Sequence, residues 1–72
     1  MDTIHTKEHK YIVEQLKKAR IELGFDQNMV AKKLEKTQSY ISKVESGQRR
    51  IDVVQLLKFA KLYKKDINYF VK

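Results

Sequence analysis

Residues 26–47 read DQNMVAKKLEKTQSYISKVESG, and the fold turns on this stretch. Asp26 offers a carboxylate to cap a helix that begins at Gln27 and runs to about residue 34, with Val30, Ala31 and Leu34 as its buried stripe. Thr37 is the next capping side chain. Behind it, Ile41 and Val44 are the apolar residues of a short helix over about 38–46, which Gly47 ends. Only Glu35 and Lys36 lie between Leu34 and Thr37. A connection that short does not let two helices lie antiparallel along their full length, so they must cross steeply.

A steep crossing with a short turn is the helix-turn-helix arrangement. With Ile41 and Val44 as its anchors, the second helix of the pair keeps an outward face of Gln38, Ser39, Tyr40, Ser42 and Lys43. Toward the N-terminus, Ile12, Leu16, Ala19 and Leu23 follow at helical spacing and predict a helix over about 7–23, which Gly24 stops. Met1 to His5 read as a frayed end. Toward the C-terminus, Asp52 caps a helix over about 53–63 whose inward residues are Val53, Leu56, Phe59, Ala60 and Tyr63. Asp66 caps a last short helix over about 67–71 carrying Ile67 and Phe70. The expectation is an all-α fold, a compact five-helix bundle forming one domain over residues 1–72.

Composition narrows the function classes. The chain has 72 residues, no Cys, no Pro and two Gly, so no disulfide or thiolate metal site holds it and packing must supply its stability. Lys and Arg number 16 against 9 Asp and Glu, a net charge of +7 that favours an anionic partner. No stretch approaches the ~20 apolar residues of a membrane span. The N-terminus carries no apolar signal-peptide core, so a cytoplasmic, nucleoid-associated protein is expected. An enzyme is not expected. His5 and His9 are four apart but lack a third ligand and read as surface residues, and Glu8, Glu14 and Glu22 as ordinary helix-surface acids. No nucleophile–base pair, paired carboxylates or phosphate-cradling Gly loop is present. No metal, cofactor or small-molecule ligand is expected, and the positive charge is too widely spread for a membrane-surface helix.

Gln27, Val30-Ala31, Leu34, Thr37 through Glu45, and Gly47 together resemble the helix-turn-helix of the phage repressor and Cro family, the XRE-type domain. The resemblance covers roughly Ile12 to Val71, with Leu16 and Arg20 on the first helix and Leu56, Ala60 and Ile67 on the later ones. One departure is Glu35, where the family commonly has Gly in a left-handed conformation; a non-Gly residue there costs roughly 1–2 kcal/mol. The resemblance implies a small bacterial or phage DNA-binding regulator. It also implies base contacts at the start and middle of the third helix, a backbone position at Ser46, and a salt bridge between Arg20 and Glu45 that sets the recognition helix against the body.

A recognition helix in the major groove presents its N-terminal side chains to base edges. Gln38, Ser39 and Lys43 are the candidates: Gln38 can pair bidentately with adenine and Lys43 can donate to guanine. Gln27, at the start of its helix behind Asp26, would face a phosphate with the helix dipole in support. The Tyr40 ring packs over its neighbours or its hydroxyl reaches a phosphate. Arg49 and Arg50, in the loop after the recognition helix, suit backbone contacts or a narrow minor groove. Lys58, Lys61, Lys64 and Lys65 read as solvent-facing.

One such module makes few phosphate contacts, so binding to double-stranded DNA is expected of a homodimer on a near-palindromic operator. Ile67, Tyr69, Phe70 and Val71 are the expected dimer surface, helped by the fourth helix. The alternative is a protein-interaction adaptor that keeps the shape without reading sequence. Gln38, Ser39 and the Arg49-Arg50 pair together weigh against it.

Overall fold

The structure, a computed structural model, describes residues 6–71. Four α-helices follow one another: α1 over Lys7–Glu22, α2 over Gln27–Leu34, α3 over Gln38–Glu45 and α4 over Val53–Tyr63. A single 3-10 turn over Ile67–Tyr69 closes the chain where a fifth helix over 67–71 was expected. The all-α expectation holds among the described residues. The fifth element is shorter because Asp66 caps only the Asn68 N–H, and Phe70 already sits outside the turn as its last residue. The ends of α1 and α3 each fall one residue before the expected 23 and 46.

Side-chain chemistry starts each helix. Thr6, Asp26, Thr37 and Asp52 are extended residues whose oxygens accept the N–H three positions on, from His9, Met29, Tyr40 and Gln55. A left-handed residue follows each helix: Gly24 after α1 and Gly47 after α3, as expected, but Glu35 after α2 with φ 57° and Lys64 after α4 with φ 58°. Glu35 thus takes the backbone that favours Gly, and the turn closes with the Lys36 N–H donating to the Ala31 carbonyl at 2.8 Å.

The core lies where all four helices meet. Leu16 and Ala19 from α1, Val30 and Ala31 from α2, Ile41 and Val44 from α3, and Leu56, Phe59, Ala60 and Tyr63 from α4 pack together with Phe70. Burying this apolar surface, at about 25 cal/mol per Å2, is the main stabilising term. Phe70 is fully buried, which corrects its expected role at a dimer surface: its ring fills the monomer core instead.

Four further expectations change for related reasons. The buried face of α1 is His9, Val13, Leu16 and Ala19, while Leu23 lies beyond the helix and is exposed. His9 is therefore a core residue, not a surface one; the helix turns it inward ahead of Val13, with its Nε2 lacking a partner among the described residues. Its proposed companion His5 lies outside the described residues, as does all of the segment Met1 to His5 for which fraying was expected. Val53, expected inside, occupies the first turn of α4 past the edge of the core and is exposed. Lys65, expected in solvent, reaches Glu22 at 3.8 Å and stacks over Tyr69, tying the last segment to α1.

Candidate nucleic-acid interface

Caps Asp26 and Thr37 start α2 and α3 so that Gln27 and Gln38 are the first residues of two successive helices. The packing of α2 against α3 brings these two starts together. The Gln38 Nε2 donates to the Gln27 Oε1 at 2.6 Å, and the Gln27 Nε2 donates to the Glu45 Oε1 at 3.1 Å. Glu45 in turn accepts from Arg20, with Nε to Oε2 at 2.7 Å and Nη2 to Oε1 at 3.0 Å. Arg20 Nη1 donates to the Phe25 carbonyl at 2.8 Å, which anchors the chain of bonds in the α1–α2 connection.

The order of donors in this chain is set by its inner end. A carboxylate only accepts, so Gln27 must turn its NH2 group toward Glu45 and its carbonyl toward Gln38. Gln38 must then turn its own NH2 group toward Gln27. What remains free on Gln38, at an exposed helix start, is its Oε1 and one N–H. The inner end is dry: the side chains of Arg20 and Glu45 are 12% and 4% exposed. The hydrogen bond to Glu45 holds the Arg20 guanidinium above its ordinary pKa despite its burial. Beneath the pair, burial pushes the Tyr63 phenol far above its usual range, with the Glu45 charge adding to the effect. Its hydroxyl has no hydrogen-bond partner among the described residues.

On the other flank of α3 stands Tyr40, half-buried against the core. The Lys36 Nζ lies 5.1 Å from its ring centroid and the Arg49 guanidinium 4.9 Å, so two cations gather around one aromatic ring. Arg50 is exposed in the same loop, as are Ser39 and Lys43 on the outward side of α3. The Ser46 hydroxyl donates to the Lys43 carbonyl at 3.1 Å and closes the end of the helix.

The structure thus gathers Gln38, Gln27, Glu45 and Arg20 on one side of α3, and Tyr40 with Arg49 on the other. Ile67, Tyr69 and Val71 lie apart from both, with Tyr69 edge-on to Phe70 at 5.1 Å. Two features were missed from the sequence. Gln27 was read as facing a phosphate, whereas its side chain joins Gln38 to Glu45. Lys36 was read only as turn, whereas it completes the cation pair on Tyr40. The signal for the first was two amide side chains, each directly after a cap.

Among the described residues no cluster of three or more His, Cys, Asp or Glu is arranged to hold a metal ion. No helix among them is long and apolar enough to cross a membrane. In comparison with known proteins, a sequence model described as helix-turn-helix matches residues 16–70. No curated protein matches the chain significantly.

Proposed function

We propose a function from one premise: the chain belongs to the helix-turn-helix family, over residues 16–70. It is a sequence-specific DNA-binding transcriptional regulator that reads a near-palindromic operator as a homodimer, with α3 in the major groove. The observation that carries this reading is the chain of bonds ending at Gln38. An adenine edge in the major groove offers an N6 donor and an N7 acceptor. The free Oε1 and N–H of Gln38 are the matching pair, and Gln27 and Glu45 hold them in register. A preorganised amide loses less conformational freedom on binding than a free one, and it cannot rotate to accept a different base at no cost.

In this reading Gln38, Ser39 and Lys43 meet base edges. Tyr40 with Lys36, Arg49 and Arg50 meets the phosphates of one strand, while the N-terminus of α2 at Gln27 meets those of the other. Ser46, its hydroxyl turned to Lys43, approaches the backbone only from the end of the helix.

The second copy docks on α4. Val53, Val54 and Leu57 are 69%, 59% and 49% exposed, a continuous apolar face on the first two turns of that helix. With Phe70 sealed in the core and Ile67 and Tyr69 half-buried, this face supports dimerisation better than the C-terminal residues do. Two copies would then present two α3 helices to half-sites about 34 Å apart.

Selection of bound duplexes from a random pool tests the whole reading. The expected product is a symmetric pair of half-sites with one position dominated by adenine and dependent on Gln38. Recovery of unrelated sequences with no preference over bulk competitor would overturn it.

A further inference from the structure

Apart from Lys36, the groove between the end of α2 and the outer side of α4 has no part in that reading. Lys33 and Lys36 form one wall and Lys58 and Lys61 the other, with Leu34 and Leu62 as the floor, around about 550 Å3 of open space. Glu35 is the only acidic residue lining it. All four lysines are exposed, and none is in an ion pair among the described residues. Both leucines pack on the core from one side and remain partly open on the other.

The spacing explains why the charges line up. Lys58 and Lys61 are three apart on α4 and stand about one helical turn apart on one face, while Lys33 lies in the last turn of α2 and Lys36 just past the left-handed Glu35. The result is two rows of positive charge with an apolar strip between them.

We propose that this groove docks an acidic amphipathic segment of a partner protein, with its carboxylates on the two lysine pairs and its apolar side chains on Leu34 and Leu62. A second copy of the chain is a poor occupant, because its net charge of +7 would meet four lysines. A phosphodiester backbone satisfies the lysines but has no apolar group to cover the leucines. An amphipathic helix with carboxylates on the flanks of its apolar stripe satisfies both. Because Lys36 also stands on Tyr40, an occupied groove touches the flank of α3 that the proposed DNA contacts use.

The test uses the full chain and a labelled synthetic peptide of about 15 residues, Leu at helical spacing and Glu beside it, followed by fluorescence anisotropy at about 0.15 M salt. The double variant K58E/K61E is expected to weaken peptide binding roughly tenfold or more, while K17E/K18E, the same charge change on α1, stays within about twofold of the native chain. A scrambled peptide of identical composition is expected to bind roughly tenfold less well than the amphipathic one. Both variants should melt with the native chain, since all the replaced lysines are exposed. Equal weakening by the two variants would reduce the attraction to net charge, and equal binding of the scrambled peptide would leave the leucine floor without a role. Loss of duplex affinity in K58E/K61E, with a shallower salt dependence and unchanged peptide binding, would make the groove a phosphate track. Any of these three results overturns the proposal.

Discussion

The two flanks of α3 are built on different physics. On one, Gln38 is tied through Gln27 and Glu45 to Arg20, and the chain of bonds runs from the surface into a dry ion pair. On the other, Lys36 and Arg49 lean on the Tyr40 ring, with exposed cations on flexible stems and no hydrogen bond between side chains. Directional bonds in a low dielectric hold one geometry, whereas cation–ring stacking in water is shallow and worth about 0.5–1 kcal/mol. Discrimination between bases needs the first kind of order. Attraction to a phosphate backbone, which looks the same at every step, does not.

The contrast is broken most severely at the buried end of the tied flank. Glu45→Ala leaves the Arg20 charge and the Gln27 amide without their acceptor, and it should lower stability by about 3–5 kcal/mol in urea unfolding. Glu45→Gln, which retains an acceptor oxygen, should lose less, about 1–3 kcal/mol. Equal stability of native chain and both variants would mean the ion pair does not hold α3.

At the exposed end of the same flank the effect moves from folding to recognition. Gln38→Ala should leave melting unchanged and relax preference at one base position per half-site by about 1–3 kcal/mol, read from competition between duplexes. Arg49→Ala on the other flank should weaken all duplexes evenly and reduce the salt slope by about one unit. A sequence-dependent loss for Arg49→Ala, or an even one for Gln38→Ala, would erase the distinction between the flanks.

The smallest effect belongs to the turn that carries Lys36. Glu35 has φ 57°, so Glu35→Gly should relieve strain and stabilise the fold by up to about 1 kcal/mol, reduced by the greater freedom glycine gives the unfolded chain. A differential melting measurement decides the sign.

Legibility from sequence followed the range of the interactions. The caps Asp26, Thr37, Asp52 and Asp66 act within three residues, and all four stand at the starts expected of them. Periodicity was weaker at helix ends, where Leu23 and Val53 fit an apolar spacing but project past the edge of the core. His9 shows the reverse error: a polar residue taken for surface is buried, because α1 keeps its inward face through the first turn. The C-terminal apolar residues look like surplus surface when counted along the chain. Phe70 proves to be core once α4 and the last turn are folded together.

By itself the sequence determined the number and order of the α1–α4 helices and the tight α2–α3 connection, since capping, helical spacing and chain length are properties of neighbouring residues. It also determined the positive charge, which needs no geometry. Only the tertiary structure decided that Gln38 reaches Glu45 through Gln27, that Lys36 joins Arg49 on Tyr40, and that four lysines border one groove. Those contacts join side chains from separate helices, and their existence depends on crossing angles that the packed core sets and no single segment encodes.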